Sequence, residues 1–296
     1  MLLFEPFHFP VSNIDTYLFL PPLIMFIISS IVSPAGVSGA FILLPLQMSI
    51  FGYISPGVSG TNFIYNITSI PLGSYQYIRE KRISWTLLLL FLIGTVPGIF
   101  FGYWIRIKYL PNPMYFKVFV GIILFYLGVR CLMDAFVSKN TKPKKIKVLQ
   151  EKLSLLAASI STPDAKINYN PIAVLVPSLL TGVIGGAYGI GGGAIMSPYC
   201  VAVLKLPVQV VAGATLISTW ISSIIAACFY GFGPFSSDPS TVPDFLLGLL
   251  FGLGGMAGIY VGTKLQSKLP ASIIKFILGI AVSLIAVKYI STPFIR

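Results

Sequence analysis

The eight acidic residues of the chain are Glu5, Asp15, Glu80, Asp134, Glu151, Asp164, Asp238 and Asp244, and its one histidine is His8. None lies deep in an apolar run. A proton relay through intramembrane carboxylates or histidines is therefore disfavoured. A polyvalent-cation site lacks its hard ligands, and acid–base or metal-assisted hydrolysis lacks its usual residues. A serine–histidine protease in the membrane would need a histidine there. Cys131, Cys200 and Cys228 stand alone in apolar segments, with neither metal nor disulfide spacing, and read as packing residues. No Gly-Lys-Ser/Thr follows the glycines, so a phosphate-cradling loop is absent. The sequence points away from an enzyme and calls for no cofactor or metal.

Neutral polar side chains remain at depth. They are Gln47, Thr61, Asn62, Asn66, Thr68 and Gln76 in the first half, and Thr215, Ser218, Thr219, Ser222 and Ser223 in the second. Asn62 and Asn66 are one helical turn apart, as are Thr215 and Thr219, so each pair shares a face. Such pairs can bond one helix to another or offer donors to a substrate, and both readings stand at this point.

Glycine supplies the second ingredient. GVIGGAYGIGGGAIM, Gly182 to Met196, sits inside an apolar span, where clustered glycine weakens a helix by roughly 1 kcal/mol per residue relative to alanine. The helix is expected to break at Ala187 to Gly192 and restart near Gly193. SPAGVSGA, Ser33 to Ala40, predicts a matching break around Gly36, Ser38 and Gly39. In lipid, broken backbone survives only within protein or beside a hydrated cavity, and paired broken helices point to a transporter site. Helices restarting near Gly39 and Gly193 aim free N–H groups and the positive end of the dipole at the break, an arrangement suited to an anion. The alternative is that the glycines only permit close helix packing. The candidate binding set is Gly36, Ser38, Gly39, Asn62, Asn66, Gly189, Gly191, Gly192, Gly193, Thr215 and Thr219.

The elements that would position these residues are membrane helices. The chain of 296 residues is 56% hydrophobic and 9% charged, and several apolar runs reach the roughly 20 residues a helix needs to cross a bilayer. The expected fold is an all-α integral membrane protein of two internal repeats. Each repeat is a broken block followed by three further spans: residues 17–136 and 171–290. A basic linker, residues 137–170, joins them. One register shift carries Gly36 onto Gly189, Gly39 onto Gly192, Pro45 onto Pro198, Gly60 onto Gly213, Asn62 onto Thr215 and Asn66 onto Thr219. Gly94, Gly98 and Gly102, with their counterparts Gly254, Gly258 and Gly262, line helix faces suited to close packing. The net charge of +12 is spread over loops, densest at Lys139 to Lys152, which suits a cytoplasmic linker rather than nucleic-acid binding. Within that linker Ile146, Leu149, Leu153 and Leu156 have the spacing of a short surface helix. The basic loop Arg79 to Ser84, against a counterpart Gly231 to Val242 without Lys or Arg, favours inverted repeats; two parallel halves are the alternative. Met1 to Tyr17 has no basic n-region and does not read as a signal peptide.

The motifs SPAGVSGAFILLPLQ, GGAYGIGGGAIMSPY and VAGATLIST, together with the two-half layout, resemble the sulfite exporter TauE/SafE family, also called the toluene-sulfonate uptake permeases. The second motif carries most of that likeness; in the first, Ser38 and Ala40 stand where the second has glycines. The resemblance implies a multi-pass permease of the cell membrane for small sulfur-containing anions such as sulfite, sulfoacetate or organosulfonates, acting as a secondary carrier or passive exporter. Its partners would be that anion and the bilayer, with homo-oligomerisation left open. A non-transporting membrane scaffold or assembly factor is the alternative function.

Overall fold

The computed structural model describes residues 5–33, 39–137, 148–154, 157–163, 166–235, 238–265 and 271–293. Gly36, Ser38, Ile146 and Leu156 lie outside them. Helices dominate. In the first half they are α1 (Leu20–Val32), α2 (Ala40–Ser49), α3 (Gly57–Ser69), α4 (Pro71–Arg79), α5 (Trp85–Lys108) and α6 (Pro113–Val137). In the second they are α7 (Ile172–Tyr188), α8 (Gly193–Ala202), α9 (Val208–Phe232), α10 (Phe245–Leu265) and α11 (Ala271–Ser291). Among the described residues, 5 helical stretches are long and apolar enough to cross a membrane: Trp85–Lys108, Pro113–Phe136, Val210–Phe232, Pro239–Gly262 and Ser272–Ser291. The blocks expected to break are two short helices each, α1 with α2 and α7 with α8. Large apolar side chains such as Leu89, Ile93, Ile122, Phe125, Ile277 and Leu284 are exposed, as outward faces in lipid should be.

The linker departs from expectation. In place of a surface helix it contains β3 (Gln150–Leu153), β4 (Ala158–Ser161) and β5 (Lys166–Tyr169), an antiparallel sheet in that order. Leu149 and Leu153 are exposed, whereas Ile160 and Ala158 of β4 bury against Leu87 and its neighbours. Strand alternation therefore does the burying that helical spacing suggested for the leucines. Glu151 ties this sheet to α5 by accepting from the Thr86 N–H (3.1 Å). A second small hairpin, β1 (Pro6–Phe9) with β2 (Ile14–Tyr17), precedes α1. Ser12 in its turn donates through N and Oγ to Asp244 (3.2 and 2.7 Å). Asp244 also accepts from Leu247 N (2.9 Å), capping α10. Nearby Asp238 accepts from Ser240 N (2.8 Å), a bond that holds its carboxyl below the ordinary carboxylate range.

Glycine makes close helix contact possible. A side chain at Gly98 or Gly102 of α5 would collide with the Leu179 or Val183 carbonyl of α7, and one at Gly254 or Gly258 of α10 would collide with the Pro22 or Phe26 carbonyl of α1. The packing reading of these stripes is thus the one the structure bears out. Each such pair joins the two halves. The remaining principal pairings are α6 with α11, α3 with α10, and α9 with both α5 and α3.

Proline removes a backbone N–H and orphans the carbonyl four residues earlier. In this fold an aromatic side chain from another segment reaches three of those carbonyls. Tyr188 Oη donates to Phe41 O ahead of Pro45 (2.7 Å), Tyr199 Oη to Ala173 O ahead of Pro177 (2.9 Å), and Trp220 Nε1 to Ile67 O ahead of Pro71 (3.1 Å). Neighbouring side chains thereby satisfy what the prolines leave open, as a lipid-embedded backbone requires.

Candidate functional site

The second break is built by two left-handed glycines. Gly189 ends α7 at φ +100°, its N–H bonding back to Gly185 O (2.7 Å). Gly191 follows at φ +72°. A side chain at either would be strained by conformation alone. Gly192 then starts α8, whose first turn has no side-chain cap, leaving early N–H groups without the usual partner. Residues 188 to 193 are all buried.

Polar side chains close around this turn from four helices. A Cβ at Gly192 would sit 3.2 Å from Thr95 Oγ1 of α5 and 3.3 Å from Thr181 Oγ1 of α7. One at Gly191 would stand 2.8 Å from Thr219 Cγ2 and 3.7 Å from Ser222 Oγ, both on α9. At Gly193 it would collide with Thr219 Oγ1, and at Gly189 it would meet Ser59 and Asn62 of α3. Threonine and serine side chains thus pack directly against Gly191, Gly192 and Gly193, while Gly189 lies against the Ser59 backbone and the Asn62 Cβ.

The first break joins the second. Gly39 starts α2, again without a side-chain cap, and its missing side chain makes room for Tyr65 Oη and Ser29 Oγ. Asn62 touches both breaks: its Nδ2 donates to Ala40 O (2.9 Å), while its Cβ is 3.0 Å from the Cβ position of Gly189. Tyr188, at the last turn before the second break, donates to Phe41 just after the first. Two chain segments far apart in sequence thus meet at one buried locus.

The sequence candidates have different fates there. Gly39, Gly189, Gly191, Gly192 and Gly193 form the turns, and Thr215, Thr219 and Asn62 line them. The hydroxyl protons of Thr215 and Thr219 are already directed at their own helix, to Val211 O and Thr215 O (3.0 and 2.8 Å). Both lean on the break as shape and lone pairs rather than as free donors. Asn62 is likewise occupied, since Gln47 Nε2 donates to its Oδ1 (3.4 Å). Asn66, one turn further along the same face, differs. It is fully buried, and neither its Nδ2 nor its Oδ1 has a partner. Nearly all buried amides are hydrogen-bonded, so an orphan of this kind asks for a ligand or water.

Spacing arguments missed Thr95, Thr181 and Ser59, whose relevance comes from which helices meet, and Arg106. Arg106 is 0% exposed. Its Nε donates to Ser59 Oγ (3.4 Å) and Nη2 to Ser55 O (3.3 Å), Nη1 donates to Leu110 O, and Phe116 lies under the guanidinium. By sequence it is a basic residue at the end of an apolar run, where nothing local announces burial. Among the described residues, no group of His, Cys, Asp and Glu is placed to hold a metal.

Comparison with known proteins bears on this geometry. A family model described as "Sulfite exporter TauE/SafE" matches residues 22–289. The chain is similar to the probable membrane transporter protein YunE of Bacillus subtilis (strain 168), 23% identical over 82% of this chain and 88% of the relative. YdhB of the same organism, also named a probable membrane transporter protein, is 23% identical over 86% and 92%. MJ0441 of Methanocaldococcus jannaschii, named likewise, is 26% identical over 65% of each. No solved structure matches significantly.

Proposed function

The chain belongs to the sulfite exporter TauE/SafE family, and from that premise we propose that it is a cell-membrane permease for small sulfur-containing anions such as sulfite, sulfoacetate or organosulfonates. The anion binds where the two breaks meet. The uncapped start of α8 offers N–H groups, and Asn66 supplies an amide that has no other partner. The orphaned amide of Asn66 carries this reading, because a purely structural role would leave both its polar atoms unpaired at a cost. Ser38 and Gly36 belong to the proposed set through their places in the SPAGVSGA motif. Thr215 and Thr219 serve as its walls.

We further propose that the halves are inverted repeats around that site, with the linker in the cytoplasm. Supporting this, α3 and α9, which correspond by sequence, run in opposite directions. The first turns of α9 lie near Arg82, at the foot of α4, and its last residues near Tyr103. Ser55 and Ser59, at the start of α3, bond to Arg106 near the end of α5. Ile67 and Trp220, equivalent under the register shift, bond to each other, as positions beside a two-fold axis do. The pairings α1 with α10 and α5 with α7 also exchange into one another when the halves are swapped.

Flux of radiolabelled sulfite into liposomes holding the purified protein tests the function. Saturable uptake above empty liposomes, competed by methanesulfonate or sulfoacetate, is expected. A protein that inserts and is folded yet moves none of these anions would be a scaffold, and the permease reading would fall.

A further inference from the structure

We propose that Arg106 is the fixed positive charge of the anion path, a subsite at the outer end of the second break that selects substrates by charge. The proposal rests on the permease reading. Arg106 is fully buried, and a buried charge without compensation is too unfavourable to be incidental. Its partners are neutral: two carbonyls, one hydroxyl and the face of Phe116, with the guanidinium carbon 3.5 Å from the ring centroid. None of the ion pairs seen among the described residues includes it. Asp244, the buried carboxylate of that end, is committed to Ser12 and to the start of α10.

Ser59 links the charge to the break. Ser59 Oγ accepts from Arg106 and donates to Ala187 O (2.8 Å), two residues before Gly189. Gly102, one turn earlier on α5, lies against Gly186 and Ala187. A structural account would have Arg106 neutralise the end of α7, whose carbonyls point this way. A helix end carries only about half an elementary charge, and Tyr230 Oη already donates to Gly186 O (2.9 Å). Positive charge is left over, which a passing anion balances and a neutral solute does not.

The test compares wild type, R106K and R106Q, each purified in detergent, by Kd for methanesulfonate and for dimethyl sulfone. The two probes share sulfonyl oxygens and differ in charge. Wild type should prefer the anion by roughly tenfold or more, the range of a hydrogen bond to a charged group. R106Q should lose most of that preference with its affinity for the sulfone unchanged, and R106K should keep it. A structural role moves the melting temperature instead, and leaves the preference intact in every variant that folds. Preference retained by R106Q, or lost equally by R106K and R106Q, overturns the proposal. Should R106Q not fold, R106M replaces it under the same criteria: preference lost by R106M and kept by R106K supports the charge, and preference kept by R106M, or lost by R106K at an unchanged melting temperature, refutes it. Wild type that binds neither sulfite nor methanesulfonate would instead sink the permease reading on which this stands.

Discussion

Asn66 separates two roles that mutagenesis usually confounds. Leaving a buried amide unsatisfied costs about 1–3 kcal/mol, whereas an apolar group of similar shape in its place can be neutral or stabilising. Asn66→Leu should therefore hold or raise the melting temperature while weakening sulfite binding several-fold. Binding isotherms and thermal unfolding on the same samples check this, and a loss of both together would make Asn66 an interhelical tie. Thr219→Val should change sulfite affinity less than twofold, because the hydroxyl proton is spent on Thr215 O; a larger loss would show the hydroxyl turning toward the ligand. The sequence revealed these residues but not their occupancy. One-turn spacing was enough to put Asn62 and Asn66 on one face. That Asn62 is engaged by Ala40 and Gln47 while Asn66 is not depends on neighbours no local pattern contains. Arg106 was hidden for the same reason, since burial of a helix-end arginine is decided by Ser55, Ser59 and Phe116.

At the scale of elements, the proline carbonyls and their aromatic donors make a graded series. Tyr199→Phe removes the donor to Ala173 O near the start of α7, well before the break. It should cost about 1–3 kcal/mol of stability, the penalty of an orphaned buried carbonyl, and leave anion affinity alone. Tyr188→Phe removes the donor to Phe41 O, which links the two breaks, and should lower stability and affinity together. Thermal unfolding paired with Kd reads both, and equal affinity in the two variants would mean that the tie between breaks does not shape the site. The second break was legible, because left-handed turns such as those at Gly189 and Gly191 need glycine and leave it in the sequence. The linker sheet was not. Its strands are four residues long, too short for alternation to stand out against leucines at helical spacing, and its burial comes from α5 rather than from itself.

For the whole molecule, the proposed inverted arrangement predicts sidedness. Single cysteines at Lys152 in the linker sheet and at Asp238 before α10, in a background lacking Cys131, Cys200 and Cys228, should react with an impermeant thiol reagent from opposite faces. Reaction from one face would favour parallel halves. Composition and the lengths of the apolar runs were enough to establish a helical membrane protein. The crossing of arms between halves, α5 onto α7 and α1 onto α10, could not be read, since glycine stripes announce a close contact without naming the partner. That crossing also limits how the molecule can change over generations. Gly98 and Gly102 face main-chain carbonyls of the opposite half, and a carbonyl cannot be trimmed by any mutation. Gly73 faces only the tip of Leu216 at 3.3 Å, so a larger residue there can be accommodated by a smaller one across from it. Positions of the first kind are frozen for as long as the arms stay crossed, while those of the second kind can drift in pairs. On the proposed site, a descendant with a new substrate would have to alter the hydroxyls and amides around the breaks and leave the clasp of the two halves as it found it.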